Sequence, residues 1–130
     1  MCVATWETLC GFINSRYPVT AEQEESVELR FSVDADRTQT ISIVRREFGA
    51  SEWIEITTPV CRADQIDPTA ALTRNGSLTI GALALIGDRI VLKFPLRLND
   101  LDPDEFDDPL RTIVELGDRL EQELTGEDNY

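Results

Sequence analysis

The chain contains no histidine and only one lysine, Lys93, against eleven arginines. Without histidine there is no Ser-His or Cys-His nucleophilic dyad, and the common zinc ligand sets and the usual general base near neutral pH are missing as well. Catalysis would have to rest on paired carboxylates, the lysine or a bound cofactor. Basic charge is scarce altogether: 25 acidic residues face 12 basic ones, a net charge of −13. Such a field repels phosphate backbones and anionic membrane surfaces, and either suits basic partners or serves solubility alone. No basic patch interleaved with aromatics is present, so nucleic acid is not an expected partner. No stretch approaches the roughly 20 apolar residues that span a bilayer. The opening MCVATWETLCGF lacks a basic leader region and does not read as a secretory signal. Cysteine is sparse and odd in number: Cys2, Cys10 and Cys61 contain no CxxC pair, so reduced thiols in a cytoplasmic setting are expected.

What is present is a folding composition. At 130 residues with 42% hydrophobic and 28% charged residues, the chain reads as one domain, 1–130, able to bury a core without disulfides or metals. Val3, Trp6, Cys10, Ile13 and Tyr17 recur at helical spacing and predict a first helix ended by Pro18. The polar TAEQEES segment reads as a loop. Val27, Leu29, Phe31 and Val33 alternate with polar residues in the clearest strand of the chain. Turns at Asp34-Ala35-Asp36 and Gly49-Ala50-Ser51 separate it from a strand with Ile41 and Ile43 inward and a third with Ile54 and Ile56 inward. Such short connections make an antiparallel meander.

Asp67-Pro68 is a helix start, an N-cap followed by proline at the first helical position, and Asn75-Gly76 closes that helix. Leu78 to Ile86 and Arg89 to Leu98 then form a hairpin around Gly87-Asp88. Asp102, Pro103 and Glu105 open a last helix in which Phe106, Leu110, Ile113, Gly117, Leu120 and Leu124 share a face; Pro109 kinks it or marks its true start, and Gly126 stops it. The patterning therefore predicts an α+β fold: a single antiparallel five-stranded sheet flanked by helices, in the order α-β-β-β-α-β-β-α.

Chemistry-bearing motifs are weak. Asp34 with Asp36 and Asp107 with Asp108 are more simply turn and helix-start residues. Asp100, Asp102 and Asp104 begin like a calcium loop, but Glu105 stands where glycine is needed and Arg111 where the bidentate glutamate should be. Cys61 has Arg62 beside it, though a lone cysteine is usually a small buried hydrophobe. Arg45-Arg46 is the one basic pair and suits a solvated strand edge. No metal, cofactor or catalytic site is expected. The segment that asks for a partner is Leu78 to Ile86, apolar on both faces: Leu78, Ile80, Ala82, Ala84 and Ile86 on one, Leu83 and Leu85 on the other. Either the flanking helices of the same chain bury it, or Leu78, Ile80, Leu83 and Leu85 are the candidate partner-binding or dimer surface.

WIEITTPV, the passage through LTRNG, and GALALIGDRIVLKFPLRLNDLDPDEF followed by a helix ending in RLEQELTG resemble the YbjN-like relatives of the type III secretion chaperone fold, the Tir-chaperone type among them. The likeness spans nearly the whole chain and is strongest from Trp53 to Gly126. It implies an antiparallel sheet flanked by helices that binds a polypeptide client without enzymatic activity. It also implies a homodimer through Asp67 to Arg74 with Leu78 to Ile86. A chaperone-like protein-binding domain is the expected function. An acidic decoy or inhibitor covering a basic protein surface is the alternative.

Overall fold

The computed structural model describes residues 5–34 and 37–125. Val3, Cys2, the Ala35-Asp36 turn and the expected stop at Gly126 lie outside the described residues. Helix α1 (Trp6–Arg16) begins at Thr5, whose hydroxyl accepts from the Thr8 amide at 3.1 Å, and presents Leu9 and Ile13 to the core. Strands β1 (Val19–Gln23), β2 (Ser26–Asp34), β3 (Arg37–Phe48) and β4 (Ser51–Arg62) follow. After them come α2 (Pro68–Gly76), β5 (Ala82–Ile86), β6 (Arg89–Arg97) and α3 (Asp107–Thr125). The strands form one antiparallel sheet in the order β1-β2-β3-β4-β6-β5.

The α+β class and the antiparallel meander stand as read from the sequence, but the sheet has six strands, not five. The additional one is β1, which takes four of its five residues from the segment expected to be a loop. It has no apolar alternation, because it lies at the sheet edge with most of its side chains in water. It is held by backbone pairing to β2, with a bulge between Val19 and Ala21. A period-two pattern marks burial of one face, and a strand held by its ladder alone leaves no such mark.

Two boundaries also move. The expected strand from Leu78 begins only at Ala82, because Gly81 has φ +76, outside the strand region. The space there is tight as well: a Cβ on Gly81 would lie 3.0 Å from the Lys93 carbonyl oxygen. Leu78 and Ile80 therefore do not continue the alternation of β5. At the other end, Asp102 caps a short 3-10 turn, Pro103–Glu105, its side chain accepting from the Asp104 amide at 3.1 Å. Helix α3 itself starts at Asp107. Pro109 falls in its first turn, where the missing N–H costs no helical bond.

The core lies on one face of the sheet. Val27, Leu29, Ile41, Ile43, Ile54, Ile56 and Leu92 meet Leu9 and Ile13 from α1 and Leu110, Ile113 and Leu120 from α3. Each such side chain contributes about 1.5–3 kcal/mol by leaving water. Tyr17, Phe31 and Phe106 stack edge to face where α1, β2 and the approach to α3 converge. The opposite face mixes charged side chains with apolar ones such as Val44, Trp53 and Val91. There Glu55 accepts from Arg46 at 2.7 Å and from Lys93 at 2.6 Å.

Candidate functional site

Helix α2 crosses the β5 end of the sheet and creates the site. Asp67 caps it, accepting from the Thr69 amide at 3.0 Å, and Pro68 sets its first turn. At its other end Arg74 reaches α3, 2.8 Å from Glu123. Of its residues only Ala71 is buried. Between α2 and β5 lies a groove of about 230 Å³, walled by Ile66, Ala71, Leu72, Leu83, Leu85 and Ile90 among others. Leu72 is 70% exposed and Leu85 63% exposed, and they stand on opposite lips.

The hairpin register explains the lining. Leu83 pairs with Leu92 and Leu85 with Ile90, so both leucines share the core-side face of the sheet. Toward the middle of the sheet that face is covered and Leu83 is only 9% exposed. At the hairpin end the cover stops and Leu85 is left open. Gly87, with φ +61, makes the tight turn that ends the strand there.

The four residues expected to form one surface are divided. Leu83 is part of the core and also lines the groove, where Leu85 stands on the lip. Leu78 and Ile80 lie on the other side of α2 and line a separate cavity of about 280 Å³ with Arg74, Leu116 and Arg119. Ile80 is 38% exposed and Leu78 packs against the core. Reasoning from sequence missed Leu72 and Asn75. Leu72 stands out as a leucine on a short helix whose buried face needs only Ala71.

The ionisable groups offer little chemistry. The Cys61 thiol is pushed up by burial and then by the charge of Glu121, and Cys10 by burial and then Glu22. A raised thiol is a poor nucleophile, and the described cysteines, Cys10 and Cys61, are free thiols. Burial pushes the Glu55 carboxyl up, but hydrogen bonds from Lys93 and Arg46 outweigh it and hold the group below its ordinary range. Among the described residues, no group of three or more Cys, Asp or Glu is placed to hold a metal ion, and no helix is long and apolar enough to cross a membrane.

A third concavity, about 680 Å³, lies between α1 and the β1–β2 turn and is walled by Glu7, Glu22, Glu24, Glu25 and Glu52. Arg45 sits in that wall, its guanidinium bonded to Glu25, Glu47 and Glu52. Its basic neighbour Arg46 is bonded to Glu55. No protein-family model matches the chain, and no curated protein matches it.

Proposed function

We propose that this chain is a non-enzymatic protein- or peptide-binding domain of chaperone-like kind, and that the groove between α2 and β5 is its binding surface. One observation carries the reading: Leu72 and Leu85 stand exposed across an almost wholly apolar groove in a chain of net charge −13. A large exposed leucine gains nothing in water, whereas burial under a partner contributes about 1.5–3 kcal/mol for each. The order of helices and strands, with β1 set aside, is the one implied by the YbjN-like and secretion-chaperone resemblance, and it supports the same reading. A reducing cytoplasmic setting agrees with free thiols at Cys10 and Cys61.

The test is titration of the protein with short apolar peptides at low and high salt, repeated with Leu72→Ser and Leu85→Ser. Binding that survives high salt and weakens with either substitution, while the fold persists, is the expected result. Apolar peptides that fail to bind the native protein would remove the groove as its function.

A second reading, an acidic decoy for a basic protein, has its own support in the glutamate-walled cleft. There Arg45 already shows how the wall receives a guanidinium. In that case affinity for a basic partner falls steeply as salt rises.

A further inference from the structure

The outward edge of β5 is occupied by a side chain that imitates a strand. The Leu83 amide donates to Asn75 Oδ1 at 2.9 Å, and Asn75 Nδ2 lies 3.4 Å from the Leu83 carbonyl oxygen that accepts from it. One carboxamide thus supplies the acceptor and the donor that the peptide group of a seventh strand would supply. In an antiparallel pair, alternate residues turn both backbone groups to the same side. The groups of Leu83 point away from β6, and those of Leu85, two residues on, point the same way. The next docking position is therefore about 7 Å along, the repeat of an extended chain. The opposite edge of the sheet is defended differently, by the β1 bulge and by the exposed Glu22.

The cover is lightly held. Helix α2 has nine residues, fewer than the roughly 12–15 that an isolated helix needs, and a single buried one. The edge is also electrically distinct: from Asn75 to Gly87 there is no charged side chain, while the chain as a whole carries a net charge of −13.

Resting on the binding role just proposed, we infer that the partner is an extended segment, apolar at alternate positions and basic in net charge, which adds to the edge of β5. It pairs first with the backbone of Leu85 and then takes the place of the Asn75 carboxamide on Leu83. Its alternate side chains enter the groove, and its basic charge complements a chain of net charge −13.

The experiment uses the full chain and two synthetic probes. One is a peptide of alternating valine and threonine with lysines at both ends. The other is an amphipathic helical peptide of equal charge. Binding is read by titration and by amide exchange at Leu83 and Leu85. The strand probe is expected to bind and to protect the Leu85 amide, and Asn75→Ala is expected to tighten it several-fold by removing the internal competitor. Leu85→Pro removes the outward N–H but no bond to β6, whereas Leu85→Ala removes only the side chain. The proline variant should bind the strand probe about tenfold more weakly than the alanine variant, the worth of one main-chain bond.

Equal loss in those two variants overturns the inference. So does a helical probe that fills the groove and leaves the Leu85 amide unprotected, although the groove would then remain a binding surface. Leu85 already protected in the unliganded protein, together with a dimer mass in sedimentation, assigns the edge to a second copy and overturns the inference too. If neither probe binds, the inference and the binding role fall together.

Discussion

Asn75 binds both backbone groups of Leu83, receiving its N–H at 2.9 Å and donating to its carbonyl at 3.4 Å. This side chain is the direct tie between α2 and the sheet edge. Asn75→Ala should cost about 1 kcal/mol or somewhat more, the worth of the lost bonds once water replaces them. Asn75→Asp should cost more, because it keeps an acceptor for the Leu83 amide but turns a carboxylate oxygen toward the Leu83 carbonyl. Urea denaturation of the three proteins checks that order.

The leucines of the β5 region should separate by burial. Leu83→Ser places a hydroxyl in the core and should destabilise by about 2–5 kcal/mol, the range of large-to-small core changes. Leu72→Ser and Leu85→Ser should each stay within about 0.5 kcal/mol of the native protein. Thermal unfolding of the single variants measures the contrast.

Gly117 marks a close approach of α3 to the sheet. A Cβ there would lie 2.7 Å from Thr58 Cγ2 and 3.1 Å from Gln39 Nε2. Alanine gains about 1 kcal/mol in helix propensity, but the overpacking costs about 1–3 kcal/mol and should win. Combining Gly117→Ala with Thr58→Ser, which removes the clashing methyl and keeps the hydroxyl, should recover much of the loss. A double-mutant cycle with a favourable coupling is the expected outcome.

Stability should fall at both pH extremes for named reasons. Burial, and then the hydrogen bond and charge of Asp107, raise Tyr17 above its ordinary 10.0. The folded state thus holds that proton more tightly, and the contribution is complete below pH 10.0 and lost as pH rises toward the raised value. The hydrogen bond from Tyr17 lowers Asp107 below its ordinary 3.8, and the Arg111 contact adds to it against the opposing effect of burial. Glu55 is lowered below its ordinary 4.5. Those two contributions are present above these ordinary values and are lost as pH falls below them. In unfolding measured across pH, Tyr17→Phe should flatten the alkaline limb and weaken the part of the acid limb due to Asp107. Glu55→Gln should act on the acid limb alone.

Thiol labelling should follow burial. Cys61 is fully buried and Cys10 partly so, and burial raises both thiols. Cys61 should resist iodoacetamide in the native protein and react on unfolding in urea, with Cys10 intermediate. Intact mass against time reads both.

The sequence by itself determined the class of fold and most of its elements. Alternation at Val27, Leu29, Ile41, Ile43, Ile54 and Ile56 is a direct record of one buried face, and the four-three spacing from Phe106 to Leu120 records another. Asp67-Pro68 and Gly87-Asp88 mark a cap and a turn by local stereochemistry alone, and both stand where they were read. Only the tertiary structure decided the rest. Strand β1 exists because β2 offers a ladder, which polar side chains neither help nor hide. Strand β5 is cut short at Gly81, where the backbone turns to positive φ close against Lys93. Leu83 and Leu85 share a face, yet one is core and the other a lip of the groove, because the cover of the sheet ends between them. Asn75 read locally as part of a helix stop; its carboxamide became the edge partner of Leu83 only when folding brought α2 alongside β5.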